Sequence, residues 1–179
     1  YQITGLQTAI RKSGFLRLLP KSLRELEPLT PTISPKFTQA HFKQLPNSHS
    51  TKYRVGLISG CIQDIAFSEI NADTIYVLQK NECEVVLPQA QVCCGSLHGH
   101  NGEIETAKEL ARKNIDAFNA ETFDVIITNA GGCGSHLKQY DHLLSDDPNY
   151  AQRAKTWSSK VKDIHEFLVE IDFQPPKKN

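Results

Sequence analysis

Four of the five cysteines in this 179-residue chain fall into one pattern. Cys61 stands alone, Cys93 and Cys94 are adjacent and followed by Gly95, and Cys133 sits within the glycine-rich run Asn129-Ala130-Gly131-Gly132-Cys133-Gly134. Thiolates are soft ligands, and four of them are the usual complement for an iron–sulfur cluster or a tetrahedral zinc ion. Backbone N–H groups of Gly95, Gly131, Gly132 and Gly134 are placed to donate to sulfur, and glycine allows the close approach this needs.

Other readings of the same residues have to be weighed. A free cysteine is commonly a small buried hydrophobe, and Cys83, just ahead of Val85 and Val86, fits that description. Adjacent cysteines followed by glycine in a polar loop are poor core material. Zinc satisfies the ligand count, yet its usual C-x-x-C knuckles are missing. A redox dithiol would also be expected as C-x-x-C. His98 and His100, in Leu97-His98-Gly99-His100, are candidates to line the centre rather than to ligate it, with His136 similarly placed. His142 and His165 read as exposed helix positions.

The elements that must position these residues follow from the apolar periodicity. Val55-Gly56-Leu57-Ile58, Glu84-Val85-Val86-Leu87 and Asp124-Val125-Ile126-Ile127-Thr128 read as buried strands. Between them, residues 64–80 read as a helix with Ile65, Ile70, Ile75, Val77 and Leu78 inward. Residues 102–119 read as a second, with Ile104, Ala107, Leu110, Ala111, Ile115 and Phe118 on one face. Helices follow through Leu137, Tyr140 and Leu143, then Ala151, Ala154 and Trp157, then Val161, Ile164, Phe167, Leu168 and Ile171. The expected fold is α/β, three layers with a short parallel sheet flanked by helices, Rossmann-like. Each cysteine of the pattern then lies where a strand gives way to a helix, along one edge of the sheet.

Residues 1–51 read as an amphipathic helical arm, broken near Gly14 and Pro20, followed by a proline-rich extended linker over 28–51. The arm's stripe is expected to pack on its own domain or a neighbouring one. Phe37 and Phe42 are expected to dock in grooves, with His41 and His49 solvated. Residues 52–172 form the α/β domain, and 173–179 begin another linker. Lys plus Arg and Asp plus Glu both number 20, so no global field favours nucleic acid. No apolar run has membrane-span length, and no export signal opens the chain, which points to the cytoplasm and a reducing compartment. A start at Tyr1 and the absence of methionine suggest a segment of a longer protein.

Gly60-Cys61-Ile62-Gln63-Asp64, Cys93-Cys94-Gly95-Ser96-Leu97-His98 and Asn129-Ala130-Gly131-Gly132-Cys133-Gly134 together resemble the cysteine-rich CCG domain of the heterodisulfide reductase type. In particular they are similar to the first such repeat of glycolate oxidase (glycolate dehydrogenase) iron–sulfur subunits. The resemblance implies that Cys61, Cys93, Cys94 and Cys133 hold an iron–sulfur cluster, of the [4Fe-4S] type, lined by Gly95, His98, His100 and Gly132. It implies partners too: a flavin subunit carrying FAD that oxidises glycolate to glyoxylate, the remaining domains of the same subunit, and an onward path to quinone with at most peripheral contact to the inner membrane. The family pattern ends in C-x-x-C, whereas Ala130 occupies the first of those positions here, leaving four motif cysteines. The competing reading is a structural domain, zinc-bound or metal-free, that docks the flavin subunit.

Overall fold

In the computed structural model, residues 5–31, 33–42, 51–173 and 175 are described. His49 and the end of the tail, Pro176, Lys177 and Lys178, lie outside the described residues. Among the described residues four strands form one all-parallel sheet: β1 (Tyr53–Leu57), β2 (Cys83–Val86), β3 (Val125–Thr128) and β4 (Val161–Asp163), in the order β2-β1-β3-β4. The central strands, β1 and β3, are the most buried. All of Val125–Thr128 is buried, as a strand covered on both faces requires.

Helices cover both faces. They run α1 (Leu6–Ser13), α2 (Lys21–Leu26), α3 (Thr38–His41), α4 (Cys61–Lys80), α5 (Ser96–His100), α6 (Ile104–Phe118), α7 (Gly131–Leu137), α8 (Tyr140–Leu143), α9 (Ala151–Lys160) and α10 (Ile164–Glu170). One core joins Ile115, Phe118, Leu137, Tyr140 and Trp157 from α6–α9 to Ile126 of the sheet. The other joins Ile75 and Leu78 of α4 and Ile164 and Phe167 of α10 to Val55, Leu57, Val85 and Ile127. This is the three-layer α/β fold.

Several expectations are corrected in detail. Val161 does not open the last helix; Val161–Asp163 pairs with Ile126–Thr128 as β4, and Asp163 then starts α10 with a reciprocal capping box to Glu166. Helix α4 is broken at Phe67, whose φ of −139° is not helical. Just past that break its inward face is polar, Ser68 and Asn71 being fully buried, while Ile65 and Ile70 are exposed. Ile104 is exposed as well.

The reason for the polar face is a strap. Within the stretch read as extended linker, Thr38–His41 forms a helical turn docked on α4. Ser34 N–H donates to Ile65 O at 2.8 Å and Thr38 N–H to Asp64 Oδ1 at 2.6 Å. Ser68 Oγ donates to Lys36 O at 2.6 Å and Asn71 Nδ2 to Thr38 Oγ1 at 2.7 Å. Phe42 packs against the second core as expected, but Phe37 is exposed and His41 is half-buried with its Nε2 enclosed. The arm does break at Gly14, whose φ is 74°. Its Phe15, Leu18, Leu23 and Leu26 are exposed rather than packed on this chain.

Candidate metal centre

With the order β2-β1-β3-β4, chain connections leave β1 and β3 in opposite directions, so a crevice opens beyond their carboxyl ends. All three cysteine-bearing loops leave that edge. Cys61 is the first residue of α4, Cys93 and Cys94 end the loop after β2, and Cys133 is the third residue of α7 after β3.

The four thiols form one group, each within electrostatic reach of the other three. Cys61 Sγ and Cys93 Sγ are 3.5 Å apart. Cys93 and Cys94 interact through their side chains, and Cys94 donates to Cys133. That last hydrogen bond, with burial, pushes the Cys94 thiol far up. The same bond lowers Cys133 below an ordinary thiol, against the opposing effect of burial. Cys61 is raised by burial and then by its bond to Cys93, in spite of a backbone N–H at the start of α4. Cys83 is apart, 4% exposed in the second core, and burial pushes its thiol up to about 12.

The residues fit a thiolate-bound group. Beside Cys133, a Cβ added at Gly131 or Gly132 would meet nothing within 4 Å, so there is open space on that side. Among the described residues, no three His, Cys, Asp or Glu side chains surround one point as a cage for a single ion.

The remaining expected residues divide. Gly95 is buried with φ 86°, a left-handed position that favours glycine, and its N–H points to Cys93 Sγ at 3.5 Å. Gly132 is exposed at the start of α7. His98 is turned to the surface, its Nδ1 2.7 Å from Glu103 Oε2, and His100 is exposed. The enclosed imidazole is His136, whose Nε2 is buried without a hydrogen-bond partner, lowered by burial and then by His100. A Cβ on Gly99 would meet its Cε1 at 3.1 Å, so Gly99 makes room for the ring. His142 and His165 are exposed as expected.

Sequence reasoning missed a set of amides that tie the loops together. Gln91 Oε1 accepts from Ser59 N–H at 2.9 Å and Ser59 Oγ at 3.2 Å, joining the first loop to the second. Asn71 Nδ2 donates to Ser59 O at 2.9 Å, and Asn129 Nδ2 donates to Asn71 Oδ1 and Thr74 Oγ1, each at 2.9 Å, bringing in the third. The detectable signal was position: Asn71 lies at i, i+3, i+4 spacing with Ser68, Thr74 and Ile75 on α4.

A parallel sheet whose switch-point loops gather four thiols defines a cysteine-rich α/β domain. Residues 55–138 match the family model of the “Cysteine-rich domain”, CCG, and residues 1–30 match that of the “Glycolate oxidase iron-sulfur subunit, linker region”. The chain thus carries a CCG cysteine-rich domain over residues 55–138, and ahead of it a segment like the linker of glycolate oxidase iron–sulfur subunits. It is 49% identical over 174 residues, 97% of its length and 39% of the relative's, to the “Probable glycolate oxidase iron-sulfur subunit” of Bacillus subtilis. It is 33% identical over 118 residues, 66% of this chain and 48% of the relative, to “Lactate utilization protein A” of Bacillus cytotoxicus, and equally so to its counterparts in Bacillus thuringiensis and Bacillus cereus. The chain thus spans less than half the length of these relatives. No solved structure matches it. Among the described residues no helix is long and apolar enough to cross a membrane.

Proposed function

We propose that this chain is the cluster-bearing part of an oxidoreductase subunit that carries electrons away from the oxidation of a small 2-hydroxy acid, glycolate to glyoxylate. Cys61, Cys93, Cys94 and Cys133 are the ligands, of a [4Fe-4S] cluster on the donor count, and Gly95, Gly132, His98 and His100 flank it. A cluster held there supplies one-electron transfer. The chain's own work is to present four thiolates, keep Cys94 out of water and give the site backbone donors such as Gly95 N–H. Hydride chemistry falls to a flavin subunit with FAD, and quinone is the onward acceptor, in a cytoplasmic assembly at most peripheral to the membrane. The observation that carries this reading is the gathering of four sulfurs from three loops at one sheet edge. The similarity to glycolate oxidase subunits supports glycolate over lactate as the donor.

The test is anaerobic reconstitution of the chain with iron and sulfide. Brown protein with broad visible absorption and bound sulfide is expected. Cys94→Ser should abolish the colour and Cys83→Ser should keep it. Colourless protein that takes up zinc in preference, or equal loss in both variants, would overturn the assignment.

A further inference from the structure

The Cys93-Cys94 pair poses a geometric problem that the fold answers with two side chains. Adjacent residues in an extended loop direct their side chains to opposite sides, so whether both sulfurs reach one centre depends on how the peptides around them are turned. Those peptides are held individually. Asn114 Oδ1 accepts from Val92 N–H at 3.0 Å, and Asn114 Nδ2 donates to Cys93 O at 3.1 Å. Tyr140 donates its hydroxyl to Cys94 O at 2.7 Å and accepts from Asn114 Nδ2 at 3.2 Å.

The polar groups of both side chains are spent on these bonds. Asn114 is 1% exposed and Tyr140 0%, and a polar group taken so far from water is unfavourable unless its partners are in place. Asn114 sits on the apolar face of α6 beside Ala111, Ile115 and Phe118, where a leucine would satisfy packing alone. The Tyr140 ring is fixed by stacking on Trp157, centroids 5.8 Å apart at 22°, and by the edge-on ring of His136 at 5.7 Å and 89°.

We propose that Asn114 and Tyr140 are positioning residues: together they lock three of the four peptide groups from Val92 N–H to Cys94 O, so that both Cys93 and Cys94 are presented to one metal centre. This rests on the iron–sulfur reading above. Their role is to set ligand geometry and the retention of iron, not to touch the cluster. Outer groups that orient ligands commonly affect metal affinity by about 10–100-fold.

The experiment compares the reconstituted wild-type chain with Tyr140→Phe, which preserves the ring, and Asn114→Leu, which removes the amide. Phe118→Leu serves as a control that loosens the same core without touching the Cys93-Cys94 backbone. Electron paramagnetic resonance of the reduced cluster and the rate of iron loss to a chelator are measured, together with thermal unfolding of the apo chain. Tyr140→Phe should fold, change the g-values and release iron about tenfold faster or more; Phe118→Leu should lower Tm and leave the g-values alone. Unchanged spectra and iron loss in Tyr140→Phe overturn the inference even if Asn114→Leu fails to fold. So does iron loss that merely tracks Tm across all three variants. If the wild-type chain takes up no cluster at all, the iron–sulfur reading itself fails, and that outcome is distinct from the other two.

Discussion

Reactivity sets Cys133 apart from Cys61, Cys83 and Cys94. Cys133 is the thiol held below its ordinary value, by the hydrogen bond from Cys94, whereas burial pushes Cys83 up to about 12 and both Cys61 and Cys94 are raised. The thiolate is the nucleophile, so iodoacetamide at neutral pH should modify Cys133 of the folded apo chain first and leave Cys83 untouched. Peptide mass mapping over time checks this; early labelling of Cys83 would contradict its placement in the core. The spacing of the four thiols was legible because cysteine types and glycines announce themselves. The side chains that hold them were not. Asn114, Asn71 and Gln91 are ordinary polar residues, and only their company on apolar or small-residue faces distinguishes them from solvated ones. Among the imidazoles, loop position favoured His98 and His100, while packing against the Gly95–Gly99 turn encloses His136.

At the scale of elements, three strands and α6 followed from apolar runs and a period near 3.6, but β4 did not. Val161, Ile164, Phe167 and Leu168 keep helical spacing across a strand–helix junction, and periodicity cannot see that Val161–Asp163 pairs with β3. The break at Phe67 was hidden for a related reason, since α4 buries small polar residues where it meets the strap. Helix-to-sheet spacing has its own check. A Cβ on Gly56 of β1 would lie 2.9 Å from Phe118 Cδ1 of α6, so Gly56→Ala should destabilise the domain by about 1–3 kcal/mol in denaturant unfolding. A neutral result would mean that α6 rides free of the sheet. Ion pairs between elements set the acid limit. Arg112 on α6 holds Asp147, ahead of α9, at 2.7 Å, and Lys138 after α7 holds Glu166 on α10. Both carboxyls are lowered from ordinary values of 3.8 and 4.5. A lowered carboxyl stabilises the fold fully above its ordinary value and ceases to do so as pH falls through the lowered one. Tm should therefore be level from neutrality to about pH 5 and drop below about pH 4. Arg112→Gln should lower Tm at pH 7 and make that acid drop shallower; an unchanged acid profile would count against the pair.

For the whole molecule, the question is where the stable unit begins. The expected boundary at residue 52 leaves out the strap, although its contacts reach the loop that carries Cys61: Thr38 meets Asn71, and Asn71 also holds Ser59 O, two residues before Cys61. Removing the strap leaves Asp64 Oδ1 and Ser68 Oγ without these partners and takes away one of the three bonds made by the buried Asn71 amide. Water can reach some of these groups once the strap is gone, so the cost is less than the sum of buried deletions, each of about 1–3 kcal/mol. The sheet and both cores lie wholly within residues 53–171, apart from Phe42. A chain starting at residue 33 should thus unfold with the stability of the full segment, since the exposed arm adds little to it. One starting at residue 52 should still fold cooperatively but with a lower midpoint, a loss of about 2–4 kcal/mol. It should also lose iron faster, because the first cysteine loop is held through Asn71, and Asn71 then lacks the brace of Thr38. Circular dichroism against denaturant for the two truncations, followed by chelator release from the reconstituted proteins, tests this. Equal midpoints would show that the strap rests on the domain without supporting it.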